Sequence, residues 1–303
     1  QKKGLVDFDT QYGKVLIYKQ GNSSYLITGA FGYESKNTDA MPITSYLPHL
    51  DQFLFPLLSN PKEALVIGGG TFNLSNFFLT QYPLLKVDSV EIDKKISEIA
   101  YSYFGYKENS RHTIIIEDGR TFINRSQINR YDFVVNDAFQ DVVPPYHLLT
   151  QEAVKKIYAS LRLNGIYVTN VASALEGEKS WLLNSSYMTV SSLFPHVYIV
   201  PLEKNIGKSD IQSVLLIAIK DPKSPLLKHM QTLNIYQWKK PHNKSIRVLT
   251  DDFAPVEYNL LSITSGRSAF HLSRIYLKVL VNATYDYFVS LGKQLISHKQ
   301  KSF

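Results

Sequence analysis

The chain has 303 residues, 44% of them hydrophobic and 19% charged, with a formal net charge of +7. This is the composition of a soluble globular protein with room for one large α/β domain and a smaller appendage. There is no cysteine, which excludes disulfides, thiolate catalysis and Cys-ligated zinc and suits a cytoplasmic protein.

No apolar run approaches the ~20 residues needed to span a bilayer, and no signal peptide is visible. The chain opens on Gln1 rather than Met, so upstream sequence is expected. Lys and Arg are scattered, and their clusters lie near the ends, at Lys2-Lys3, Lys239-Lys240 and Lys293 to Lys301. They read as solvated faces or tails, with contact to a membrane surface as the lesser reading. Nucleic acid is not an expected partner, because net charge alone would support it.

Residues 1–45 read as a β segment. Gly4–Asp9, Lys14–Lys19 and Ser24–Thr28 alternate apolar and polar, with turns at Tyr12-Gly13 and Gly21-Asn22-Ser23. Ile43–Leu58 has Leu47, Leu50, Phe53, Leu54 and Leu57 at helical spacing, with His49 beside that stripe.

Residues 46–222 form the central domain. Strands are expected at Leu65–Ile67, Val87–Ile92, Thr113–Glu117, Asp132–Asn136 and Gly165–Asn170. Helices are expected between and after them, at Leu74–Gln81, Lys94–Tyr103, Arg120–Arg125, Gln151–Leu161 and Ser180–Leu193. Such alternation predicts right-handed crossovers and a parallel sheet, closed by strands at His196–Pro201 and Ser213–Ile219. Residues 223–303 form a proline-punctuated connection, an irregular LTDDFAPVEY stretch at Leu249–Tyr258 and an amphipathic tail helix at Ser273–Lys293.

Ligands of such a sheet gather beyond the carboxyl ends of its strands. The first of these ends is the glycine turn Gly68-Gly69-Gly70 of ALVIGGG. Glu91 follows Gly68 by 23 residues, near the spacing of a carboxylate that binds a ribose diol. A dinucleotide pattern wants a third glycine where Asn73 stands, which favours a nucleoside ligand without phosphates. Asp118, before Gly119, could accept an adenine amine or cap the next helix. Asp137 and Asp141 follow the fourth strand and could hold and deprotonate a cationic amine. Tyr146 and His147, after Pro144-Pro145, could line the same mouth. No nucleophile elbow, P-loop or metal-spaced histidine pair is present, so neither a metal nor a permanently bound cofactor is expected.

Taken together, ALVIGGG, VEID, EDGR, NDAF with PPYHLLTQEAV, and LNGIYVTN resemble the spermidine synthase family of aminopropyltransferases. VDFDTQYGKVLIYK, PHLDQFLFPLL and LTDDFAPVE extend the likeness, which is closest to the branch fused to membrane-spanning segments. The resemblance implies a Rossmann-like, class I methyltransferase-type sheet with a small N-terminal β segment and a C-terminal helical tail. It implies that Glu91 takes the ribose and Asp118 the adenine of decarboxylated S-adenosylmethionine. It further implies that Asp137 anchors and deprotonates an amine such as putrescine, with His49 and Tyr146 on the substrate side. A homodimer and an attached upstream membrane segment are also implied. Three positions depart from the family: Thr71 and Gln140 stand where it has aspartates, and Gly13 where it has glutamine. Transfer of a methyl group from intact S-adenosylmethionine, or a non-catalytic adenosyl-binding domain regulating a membrane segment, are therefore the alternatives.

Overall fold

A computed structural model describes residues 5–20, 23–28, 32–37, 50, 58, 60–139, 144–202, 206–232, 235–239 and 246–259. The expected helix before the first central strand falls almost wholly outside these residues, and the expected tail helix entirely so.

The first four strands, β1 (Leu5–Thr10), β2 (Gly13–Gln20), β3 (Ser23–Thr28) and β4 (Gly32–Asn37), form an antiparallel sheet in sequential order. Three of them are expected from alternation, and β4 is additional. A sheet this small needs another surface to cover. Val15, Ile17 and Leu26 pack on Ile96, Ile99 and Phe104, which belong to or adjoin α2 (Lys94–Tyr103) of the central domain.

That domain is a seven-stranded sheet. Its strands are β5 (Glu63–Ile67), β6 (Lys86–Glu91), β7 (His112–Ile116), β8 (Tyr131–Asn136), β9 (Leu161–Ser173), β10 (His196–Pro201) and β11 (Gln212–Ile219). They lie in the order β10-β11-β9-β8-β5-β6-β7. The five strands from β9 to β7 are parallel, and β11 and β10 close the sheet antiparallel. This is the Rossmann-like architecture expected from the sequence.

The period-two pattern of β5 explains the layers. Ala64 and Val66 enter a core with Leu74, Phe77 and Phe78 of α1 (Asn73–Gln81). Leu65 and Ile67 enter the opposite core with Phe122 of α3 (Gly119–Arg125), Ile157 of α4 (Gln151–Ser160) and Leu183 of α5 (Trp181–Ser191). Burial on both faces is what a parallel sheet requires. A short helix, α6 (Leu226–Met230), follows the sheet.

Strand order reverses at β5, with β8 on one side and β6 on the other. The crevice of such a sheet opens at this switch point. Among the described residues no helix is long and apolar enough to cross a membrane.

Candidate active site

Three successive N–H groups in the glycine turn are used within the protein. Gly68 and Gly69 donate to the Val90 carbonyl at 2.9 and 3.0 Å, and Gly70 donates to Glu91 Oε2 at 2.7 Å. None of the three is left to cradle a phosphate, which fits the nucleoside-like ligand expected from the motif. The close approach that Gly68 permits is to the protein's own chain. Its φ is +87°, and a Cβ there would meet Ala138 Cα and the Asp137 carbonyl at 2.7 Å. The Asp137 amide in turn donates to the Ile67 carbonyl at 2.9 Å. The glycine turn and the start of the Asp137 loop are thus packed backbone to backbone.

Phe72, next after Thr71, adopts a left-handed conformation with φ 62° and is fully buried. That conformation is costly for a side chain of this size and persists where packing over-determines it. Here Tyr106 and His112 hold the ring. Thr71 and Asn73 are buried as well.

Glu91 ends β6. Its Oε1 accepts from the Asp93 amide at 2.9 Å, while Oε2 takes Gly70. Burial pushes the Glu91 carboxyl above the usual carboxylate range, against the pull of these backbone donors. Ile92 beside it is 37% exposed. Asp118 fills the helix-capping role: its Oδ1 accepts from the Thr121 amide at 2.8 Å at the start of α3. Its Oδ2 lies 3.3 Å from His147 Nε2. Gly119 is packed tightly, since a Cβ there would meet Ile67 Cγ2 at 2.7 Å.

Tyr146 begins a single 3₁₀ turn, Tyr146–Leu148. It is 41% exposed and stands edge-on to the His147 ring at 5.5 Å. This places Tyr146 on the Asp118 side of the mouth. His49, Gln140 and Asp141 lie outside the described residues. Among those described, no group of three or more His, Asp or Glu could hold a metal ion.

Two features were not expected from the sequence. Asn170 on β9 donates through Nδ2 to Asp137 Oδ1 at 3.2 Å. LNGIYVTN contains this residue, but no spacing rule links it to a carboxylate 33 positions earlier. The second is the use of LTDDFAPVE. Asp251 there makes a two-pronged pair with Arg120 of EDGR, at 3.0 and 2.6 Å. Burial raises the Asp251 carboxyl, but hydrogen bonds from Arg120 and Thr150 outweigh it and hold the group below its ordinary value.

Comparison with known proteins converges on one family. The model of the spermine/spermidine synthase domain matches residues 42–202, more than half of the chain. A polyamine aminopropyltransferase from Vibrio vulnificus is 29% identical over 233 residues, covering 71% of this chain and 76% of that protein. Putrescine N-methyltransferase 2 from Nicotiana tabacum is 25% identical over 177 residues, covering 57% of this chain but only 49% of the tobacco protein. Among solved structures, a spermidine synthase in complex with the transition state analogue AdoDATO superposes with a TM-score of 0.53 at 16% identity, covering 81% of this chain and 83% of that one. At that identity the superposition speaks for the fold alone. The family model carries the assignment, and with the sheet order and the strand-end motifs in place, the chain belongs to the spermine/spermidine synthase family.

Proposed function

We propose that the protein moves an aminopropyl group from decarboxylated S-adenosylmethionine to a small amine such as putrescine, releasing methylthioadenosine. The observation that carries this reading is the placement of Asp137. It follows the strand beside the glycine turn, at the switch point, with Asn170 donating to one carboxylate oxygen. Family membership and the naming of the Vibrio relative support an amine acceptor. The match to the spermine/spermidine synthase domain supports an adenosyl-type co-substrate.

In this reading Glu91 accepts the ribose hydroxyls on lone pairs that its two backbone donors leave over. Asp118 accepts the exocyclic amine of the adenine, and exposed Ile92 offers the base an apolar wall. Gly68, Gly69, Gly70 and Gly119 let the surrounding backbone close up behind the ligand. Asp137 binds the ammonium group of the acceptor and takes its proton. The freed nitrogen attacks the carbon beside the sulfonium. A C–N bond forms, the C–S bond breaks, and its electron pair goes to sulfur, which departs as a neutral thioether. Catalysis is then positioning plus deprotonation. His49 and Asp141 belong to the acceptor side, Tyr146 borders it from the Asp118 side, and a homodimer and an upstream membrane segment complete the reading by resemblance.

Asp137→Asn tests it, because the shape of the side chain is kept and the base is lost. Methylthioadenosine affinity should stay within about twofold, and transfer should fall by about 10³, the scale of general-base catalysis. A fully active variant would overturn the assignment. The second reading is methyl transfer from intact S-adenosylmethionine. The tobacco relatives favour it, as does a buried, uncharged Thr71 where the family has an aspartate. Titrating both donors separates the two, and binding of either without turnover would instead mark a non-catalytic domain.

A further inference from the structure

The family model ends at residue 202, yet the chain beyond it returns to the site. Leu249 accepts the Gln151 amide at 2.8 Å and donates its own to Thr189 Oγ1 at 2.9 Å. The Asp251 amide donates to Glu152 Oε2 at 2.9 Å. The segment is therefore pinned across the amino end of α4 and the last turn of α5, and Asp251 is fixed in place at the backbone.

Its carboxylate meets a hub. Arg120 Nη1 and Nη2 donate to its two oxygens, and Thr150 donates to Oδ1 at 2.6 Å. Arg120 Nη1 also reaches the His147 carbonyl at 2.7 Å and Thr150 Oγ1 at 3.0 Å. The ring of that same His147 stands 3.3 Å from Asp118 Oδ2. An exposed ion pair with one contact would be worth little. This guanidinium is instead only 17% exposed and joins three elements distant in sequence.

We infer that Asp251 is a positioning residue for the adenosyl site, acting through Arg120 to hold His147 against Asp118. The inference rests on the reading in which Asp118 receives the adenine. With Asp251 present, the two-pronged pair fixes the plane of the guanidinium and aims Nη1 at the His147 carbonyl. Without it, Arg120 loses its charged partner and the tether to His147 slackens. The Asp137 side is held by β8, β9 and Asn170, and it meets the His147 turn through Asn136 Nδ2, at a long 3.5 Å from the Leu148 carbonyl.

The test is calorimetric titration of the full chain with methylthioadenosine, alongside steady-state transfer kinetics and thermal unfolding. Asp251→Ala should weaken methylthioadenosine about tenfold, as loss of one charged hydrogen-bonding partner would. The KM for the amine should stay within about twofold. Asp251→Asn, which keeps the acceptor geometry at one oxygen, should recover part of the loss. Arg120→Ala combined with Asp251→Ala should be no worse than Arg120→Ala alone. Unchanged affinity in Asp251→Ala, in a wild-type protein that binds, overturns the inference and leaves the proposed function standing. Equal losses in affinity, amine KM and melting temperature overturn it too, since they describe a merely structural brace. A wild-type protein that binds no methylthioadenosine overturns the adenosyl reading itself, and the inference with it.

Discussion

At the amino end of the seven-stranded sheet, carboxylates meet cations. Asp132 Oδ2 accepts from the Lys62 and Glu63 amides at 2.6 and 2.9 Å and from Arg162 at 2.7 Å. Asp88 takes the buried Tyr131 hydroxyl at 2.8 Å and Arg130 at 2.6 Å. At the carboxyl end, Glu91 meets two backbone N–H groups and no cation among the described residues, and Asp137 receives the Asn170 amide. Neutral donors orient a carboxylate without cancelling its charge. The first arrangement fixes strand ends, whereas the second, on the proposed function, keeps negative charge for a ligand that arrives with hydroxyls, an amine and a sulfonium. On the proposed function, what separates the structural acid Asp88 from the ligand-binding acid Glu91 is the partner's charge, since burial is similar: Asp88 is 6% exposed and Glu91 9%.

This contrast can be broken from either end. The largest effect after Asp137→Asn is expected at the amino edge. Asp88→Ala leaves a buried tyrosine hydroxyl and Arg130 without their acceptor and should cost about 3 kcal/mol in denaturant unfolding. Methylthioadenosine affinity should be unchanged at temperatures where the variant is folded. A comparable loss of affinity would erase the distinction between the two edges.

Glu91→Ala should do the reverse, weakening methylthioadenosine by about 10- to 100-fold, the scale of hydrogen bonds to a charged group. A pH series sharpens this. Glu91 titrates above its ordinary value when no ligand is bound, and ribose hydroxyls favour the ionised form. Affinity should therefore fall as pH drops through that raised value, as a proton must then leave before the ligand binds. A pH-independent affinity over the acid range would show that Glu91 is not the clamp.

The last expected effect is spread over a pH interval and concerns the wall behind the glycine turn. Burial pulls His112 down to about 4, with Ser89 on Nε2 and the Tyr106 hydroxyl on Nδ1, both in 2.6–2.7 Å contacts. The unfolded chain binds its proton near pH 6.5. Between pH 6.5 and 4 the unfolded state therefore holds more protons, and stability falls as pH falls, at most about 1.4 kcal/mol per pH unit from this group. Below about pH 4 its contribution levels off. His112→Gln should flatten the melting-temperature profile over that interval, and an unaltered slope would remove His112 as its source.

Much of this was legible in the sequence because it is written locally. The βα alternation around ALVIGGG, VDSVEID and TIIIEDG gives the strands, and the strand ends give Glu91, Asp118 and Asp137. Asp118 was legible as a cap, and the adenine role proposed for it falls on the same strand-end position. Strand β4 escaped, because Gly32–Asn37 carries no clear alternation. Helix α6 escaped because five residues after Pro225 make too short a period to detect. The need for Gly68 could be seen, but not its cause, which is the backbone of Ala138 crossing from another strand. Asn170 beside Asp137 and Asp251 beside Arg120 were not legible at all. They lie 33 and 131 positions from their partners, and no helical or strand period reaches that far.

The most direct test of the central claim is calorimetric titration of the wild-type protein with decarboxylated and with intact S-adenosylmethionine, followed by putrescine and mass detection of the product. The carboxyl-edge account predicts saturable binding, tighter for the decarboxylated donor, and a product heavier than putrescine by one aminopropyl group. Saturable binding of neither donor would contradict it, because the roles proposed for Glu91 and Asp137 would then have no ligand to serve.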